Sequence, residues 1–362
     1  MKSRSMNKIL QAALIIFALW SPYSGQSQVG GLTTYNFLRL PSSARITALG
    51  GSLITVRDED LNNAVMNPAL LNPEMHGGIT FQNNFHFDGI YNGYVAYAHH
   101  IEEWGITAHA GVQFMQYGEF KLADEFGNIN GTFKASEMAF TIGASKEIGE
   151  RLSAGINLRI INSNLESYNS FGIAADIGAI YWDPVKRLTT SFVIRNIGVQ
   201  LSKYDEVSED LPLDIQIGFS KRLEHLPFRL SIIAHSLNQW NLRYESPLSD
   251  DGAILIGEEP KEKSGFSKGI DNTFRHLIFS GEFLLGKTEV VKIRFGYNHQ
   301  RRKELTVGSL RSLAGFSGGL GIRIKQFSID YGFGSYHIAG STQHIGISTH
   351  ISRFQSAKTI VD

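Results

Sequence analysis

The 362-residue chain contains no cysteine. That excludes disulfides, thiol catalysis and lipid attachment at a mature N-terminal cysteine. Proline is scarce, at 9 residues, and beyond the first 30 positions no apolar run approaches the roughly 20 residues of a membrane-spanning helix. Neither sign of charge is in excess, with 34 basic and 34 acidic residues, so no basic surface suggests nucleic acid. No Gly-x-Ser-x-Gly elbow occurs, and the 12 histidines show no metal-ligand spacing with Asp or Glu. With neither a catalytic motif nor a cofactor signature, a non-enzyme is expected.

The chain opens "MKSRSMNKILQAALIIFALWSPYSGQSQVGG". Lys2, Arg4 and Lys8 precede an apolar run from Ile9 to Trp20, then small and polar residues follow to Gln28. This reads as an export signal over residues 1–28, cut within Gly25–Gln28; a short N-terminal anchor is the alternative. Without the signal, 31 basic residues face 34 acidic ones, a formal charge of −3.

What the chain does have is glycine, 37 residues, and an alternation of apolar and polar side chains from Ile79 onward. In "VVKIRFGYN", Val291, Ile293, Phe295 and Tyr297 share one parity, and Lys292, Arg294, Gly296 and Asn298 the other. Successive strand side chains point to opposite faces, so such segments are strands with one apolar and one polar face. Fourteen are expected, at 79–88, 91–101, 104–116, 134–147, 151–162, 169–182, 188–197, 211–222, 226–236, 274–285, 289–298, 315–324, 326–335 and 342–353. Most reach the 9–11 residues, roughly, that a tilted strand needs to cross a bilayer. Every second connection is a tight turn ("EEW", "GE", "DPVKR", "LEHLP", "GKTE", "KQ"). The longer polar ones, 117–133, 198–210, 237–273 and 299–314, fall on the other rim, together with three short ones at 89–90, 163–168 and 336–341. Short turns on one rim and long loops on the other describe an outer-membrane barrel, apolar outside and polar inside. The lumen would hold Arg159, Asp176, Asp214, Lys292, Arg294, Arg323 and Asp330.

The expectation is therefore an all-β, 14-stranded antiparallel transmembrane outer-membrane β-barrel over 79–354, with a periplasmic tail at 355–362. Residues 29–78 break the alternation and suit an N-terminal plug, with a short helix somewhere in 58–71. "GEFLLGKT" (281–288) matches a phosphate-binding loop pattern, but Glu-Phe-Leu-Leu reads as the end of strand ten and "GKTE" as a turn. The largest loop carries Trp240, Leu242 and Tyr244 at alternate positions, able to extend strand nine or to anchor a partner.

The segment "FLRLPSSARITALGG…VRDEDLNNAVMNPALL" resembles the N-terminal signature of the PorV/PorQ family of FadL-type outer-membrane barrels. The matching residues include Leu40, Pro41, Ser43, Ala44, Arg45, Gly50 and Gly51, then Asn67, Pro68 and Ala69. The Asn-Pro-Ala element is common to the wider FadL-type group, and the chain's compactness places it nearer PorQ than the longer PorV proteins. The resemblance implies a component of the type IX secretion system attachment complex of Bacteroidetes. It would hold a PorZ-like surface protein beside the PorU–PorV complex, with outer-membrane lipid around it. A FadL-like transporter for hydrophobic compounds is the alternative.

Overall fold

The computed structural model describes residues 33–243, 265–305, 313–337, 340–351 and 353–354. Fourteen antiparallel strands close into a barrel, each paired with its sequence neighbours and the last with the first. They are β1 (Gly78–Phe85), β2 (Tyr91–Ile101), β3 (Ile106–Ala123), β4 (Ile129–Glu147), β5 (Leu152–Leu165), β6 (Tyr168–Asp183), β7 (Leu188–Ser202), β8 (Asp214–Arg222), β9 (Phe228–Ala234), β10 (Leu277–Leu285), β11 (Val291–Asn298), β12 (Phe316–Ile324), β13 (Phe327–His337) and β14 (Gly340–His350). The closing pair runs without a register shift from Gly78 opposite His350 to Phe85 opposite Gln343. Closure leaves no free sheet edge, as a bilayer requires.

The alternation now has a direction. In β5, Ile156, Leu158 and Ile160 are about half exposed on the outer wall, while Asn157 and Arg159 are buried inside. In β11, Ile293 and Phe295 face out and Arg294 faces in. The apolar exterior is the surface that lipid covers. Of the described residues no helix is long and apolar enough to cross a membrane.

Two expectations about connections need correcting. Residues 117–133 are not a loop: β3 and β4 run to 18 and 19 residues and form a projecting hairpin. The alternation there is short, Phe120 and Leu122 against Glu119 and Lys121, and a register shift at Gln116/Glu119 sets it off from the rest of β3; across the pair Glu119 lies opposite Lys134 and Phe120 stacks on Phe133 at 5.2 Å. Asp124 closes the turn by accepting the N–H groups of Phe126 and Asn128. Nor does strand nine extend towards Trp240. It stops at Ala234, because Ser236 takes a positive φ of 54°.

Residues 33–77 lie inside the barrel. Here too the expectation shifts, since 58–71 holds no α-helix. It forms 3-10 turns at Leu61–Asn63 and Pro68–Leu70, whose first N–H groups are taken by the side chains of Asp60 and Asn67. Asp60 and Asn67 could each start a helix, but Pro68 and Pro73 lie too close downstream and supply no N–H for the preceding turn to continue, so each stays a single turn. The α-helix of this segment is α1 (Ala44–Ala48), capped by Ser43 and buried throughout. It packs on β12 and β13. Gly332 admits it: a Cβ there would lie 2.2 Å from the Ala44 carbonyl oxygen. On the long-loop rim, α2 (Gly265–Arg275) and α3 (His299–Glu304) form a cap.

Candidate functional site

The plug is held by charge. Arg45 sits on α1 and is 1% exposed. Its Nε and Nη2 donate to the two carboxylate oxygens of Glu282 on β10, both at 3.0 Å. Its Nη1 reaches Asp58 at 2.9 Å and Asp60 at 3.0 Å. Glu282 also accepts from Arg229 at 3.0 Å and Arg294 at 3.1 Å, and Arg294 continues to Asp330. A buried guanidinium needs this degree of pairing, because each unpaired charge in a dry interior costs several kcal/mol, roughly.

A second lock lies across the lumen. Arg159 pairs with Asp176 at 2.6 Å and donates to the Val65 carbonyl at 2.8 Å. Asn157 spans Asp176 and the Ala64 carbonyl, at 3.1 Å each. A third is Glu59, which takes both Arg323 from β12 and Arg353 beyond β14.

Of the lumen charges expected from the sequence, Arg294 meets Asp330, Arg159 meets Asp176, and Arg323 meets the plug. Lys292 is half-buried on the inner face of β11. Asp214 stands apart, accepting the Ser236 N–H at 2.7 Å to close the turn after β9. Sequence reasoning missed Glu282, the hub. Its signal was present: it is the one charge at an inward position of an otherwise apolar strand.

The motif residues gather along the plug. Leu40 and Pro41 lead into the Ser43 cap, and Gly50 and Gly51 turn the chain at φ 90° and 98°. Asn67 accepts from Ala69 N and donates to the Ile54 carbonyl, both at 3.0 Å. Pro68 and Ala69 press on Gly155 of β5. In the cap, Trp240 is 65% exposed and stacks on His276 at 5.2 Å. The Leu242 N–H donates to Asn272 at 3.0 Å, and Tyr244 lies outside the described residues.

Asp271 ties the cap helices together. Its carboxylate accepts from Arg275 at 2.9 Å and His299 at 3.2 Å, with Lys303 at 3.5 Å. Partial burial pushes its pKa up, but these cationic and hydrogen-bonding partners outweigh that and bring it down to about 2.

The wall itself is interrupted. β8 pairs with β7 only as far as Arg195 opposite Asp214. There Asn196 takes a φ of 59° and the β6–β7 register shifts. Beyond this bulge Ile197, Val199 and Leu201 still face lipid, but β7 has lost its β8 partner. Residues 209–212 cover β7 there: Glu209 N donates to Gln200 at 3.0 Å, Asn196 donates to the Pro212 carbonyl at 2.9 Å, and Leu211 is buried close against Gly198. Inside this part of the wall, polar Gln113, Glu137, Ser170 and Gln200 surround an apolar cluster. Met115, Ala139, Ile161 and Ala174 of β3–β6 face inward and pack with Tyr35, Phe37, Leu38 and Leu211. The cover and the filling are joined: Thr34 N donates to the Asp210 carbonyl at 3.0 Å. The outward Ile160 hid the inward Ile161 from a parity reading, because adjacent isoleucines satisfy either register.

No family model matches the chain, and no curated protein matches it in sequence. Solved structures do resemble it. The toluene transporter TodX of Pseudomonas putida aligns with 85% of this chain and 96% of its own, at 9% identity and a TM-score of 0.50. The CymD monoaromatic hydrocarbon channel aligns with 86% and 96%, at 13% identity and 0.49. A Pseudomonas aeruginosa FadL homologue aligns with 85% and 97%, at 11% identity and 0.47. The chain thus shares the fold of TodX, a closed antiparallel barrel.

Proposed function

We propose that this barrel carries small apolar solutes through the outer membrane. The observation that carries the reading is the apolar cluster inside β3–β6, which includes Leu211 from the segment lying along β7 where β8 has left it. A solute dissolved in lipid meets Ile197, Val199 and Leu201 on the outside of this stretch, and displacing Leu211 would open the inside to it. Because Thr34 and Asp210 are bonded, withdrawing Tyr35, Phe37 and Leu38 would loosen the cover at the same time. The fold likeness to a protein named as a toluene transporter supports the same reading.

The absence of native cysteine gives a clean test. A Gln200→Cys, Glu209→Cys pair, where the Gln200 amide oxygen now accepts the Glu209 N–H at 3.0 Å, pins the cover to the wall when joined as a disulfide. Uptake of radiolabelled toluene into proteoliposomes should stop on oxidation and return on reduction. Uptake indifferent to the crosslink overturns the reading.

A second reading has its own support. Ion pairs from Arg45 to Glu282, from Glu59 to Arg323 and from Arg57 to Glu147 hold the plug to the wall, which suits a closed scaffold, and Trp240 stands exposed on the cap. On this reading the protein anchors a PorZ-like surface protein near the PorU–PorV complex of a type IX secretion system, as the N-terminal motif suggests. A mild-detergent pull-down from its own outer membrane discriminates. Surface proteins retained by the wild type and lost on Trp240→Ala favour the anchor; the barrel recovered with lipid alone sinks it.

A further inference from the structure

A separate chamber opens at the tight-turn rim, which faces the periplasm in barrels of this construction. It has a volume of about 230 Å³ and lies between the plug at Thr55–Arg57 and the ends of β6, β7, β8 and β9. Its lining carries four arginines, Arg57, Arg187, Arg222 and Arg229, against one carboxylate, Asp183. That carboxylate is already engaged: one oxygen accepts the N–H groups of Val185 and Lys186, and the other takes Arg151.

The arginines are fixed but not exhausted. Arg57 lies 4.4 Å over the Trp182 ring and pairs with Glu147 through Nη2, while its buried Nε has no hydrogen-bond partner. Arg222 uses Nη1 on Glu289, at 2.5 Å. Arg187 uses Nη1 on the Leu223 carbonyl, at 3.3 Å. Arg229 spends Nη1 on Glu282 and Asp58. Each guanidinium presents five donors in a rigid plane, a geometry that matches the oxygens of phosphate and carboxylate. Such a group entering here would meet donors from the plug and from the wall together. Trp182, held between Arg57 and the Ala69–Leu70–Ile180 cluster, lines one side of the chamber.

We propose that this chamber is an oxyanion site taking a phosphate or carboxylate group from the periplasmic side. The group has two sources, a free solute or the headgroup of an anionic lipid in the inner leaflet. Neither the transport reading nor the anchoring one is needed for it.

The test uses the full barrel in detergent, with Trp182 fluorescence as the reporter. Titration with inorganic phosphate, and separately with benzoate, should saturate for at least one of them below about 20 mM. Arg57→Gln with Arg222→Gln should weaken that binding by about tenfold or more. Arg187→Gln alters an exposed side chain bonded only to a carbonyl, and should weaken it by about threefold in a barrel that folds normally. Native mass spectrometry separates the sources. Phosphatidylglycerol retained by the wild type and lost from the double variant assigns the lipid; saturation without retained lipid assigns a free anion. No saturation with either probe and no lipid retained, or affinities unchanged in both variants, overturns the proposal.

Discussion

Arg45 and Glu282 are 237 residues apart in sequence and share two parallel hydrogen bonds of 3.0 Å inside the barrel. The pair joins the plug to the wall through side chains that are each 2% exposed. Removing one member leaves the other charged and dry. Glu282→Gln takes a carboxylate from three arginines at once, leaving Arg45 to Asp58 and Asp60, Arg229 to Asp58 and Arg294 to Asp330, and should cost about 3–5 kcal/mol in equilibrium urea unfolding. A cycle with Arg45→Met should show a coupling of about 0.5–3 kcal/mol. Strictly additive effects would show that the pair does not act as a unit.

The plug also depends on missing side chains. A Cβ on Gly178 would lie 2.0 Å from Asn67 Oδ1, the atom that caps the Pro68 turn. Gly178→Ala should therefore destabilise by about 1–3 kcal/mol and raise hydrogen exchange in residues 61–70. Gly131→Ala, in open space on the hairpin, is the control and should change neither.

Leu158 sits at the middle of β5 on the outer wall and is half exposed there. In water an arginine at such a site would be harmless. In lipid, Leu158→Arg should cost about 2–4 kcal/mol when folding into vesicles is followed by urea titration, against about 0–1 kcal/mol near an interface. Ile129→Arg, on the projecting hairpin, should fall at the low end. Equal effects at the two sites would contradict a lipid-covered wall.

The cap should respond to acid. Asp271 has a folded pKa brought down to about 2, below its ordinary 3.8. A depressed carboxylate contributes stability that is fully present above the ordinary value and is lost as pH falls through the folded one. Exchange of amides in α2 should therefore rise as pH falls from about 4 to about 2. Asp271→Asn should already exchange fast at pH 7 and lose that dependence. A wild-type cap insensitive over the window would overturn the assignment of Asp271 as its tie.

The amino-acid sequence by itself determined the barrel. Alternation is a local property: Ile293, Arg294 and Phe295 declare their faces whatever stands beside them, and closure follows because lipid forbids an open edge. Turn lengths on the two rims are local too. The projecting hairpin was hidden because the alternation in its arms is short, Phe120 and Leu122 in one and Ile129 and Phe133 in the other, and a register shift at Gln116/Glu119 separates it from the rest of β3. Tertiary structure alone decided what fills the lumen. Whether Glu282 meets Arg45, whether Leu211 covers Gly198, and whether Arg57 and Arg222 line one chamber depend on which distant residues closure brings within 3 or 4 Å, roughly, the range over which charge and hydrogen bonding act. Sequence distance carries no trace of that.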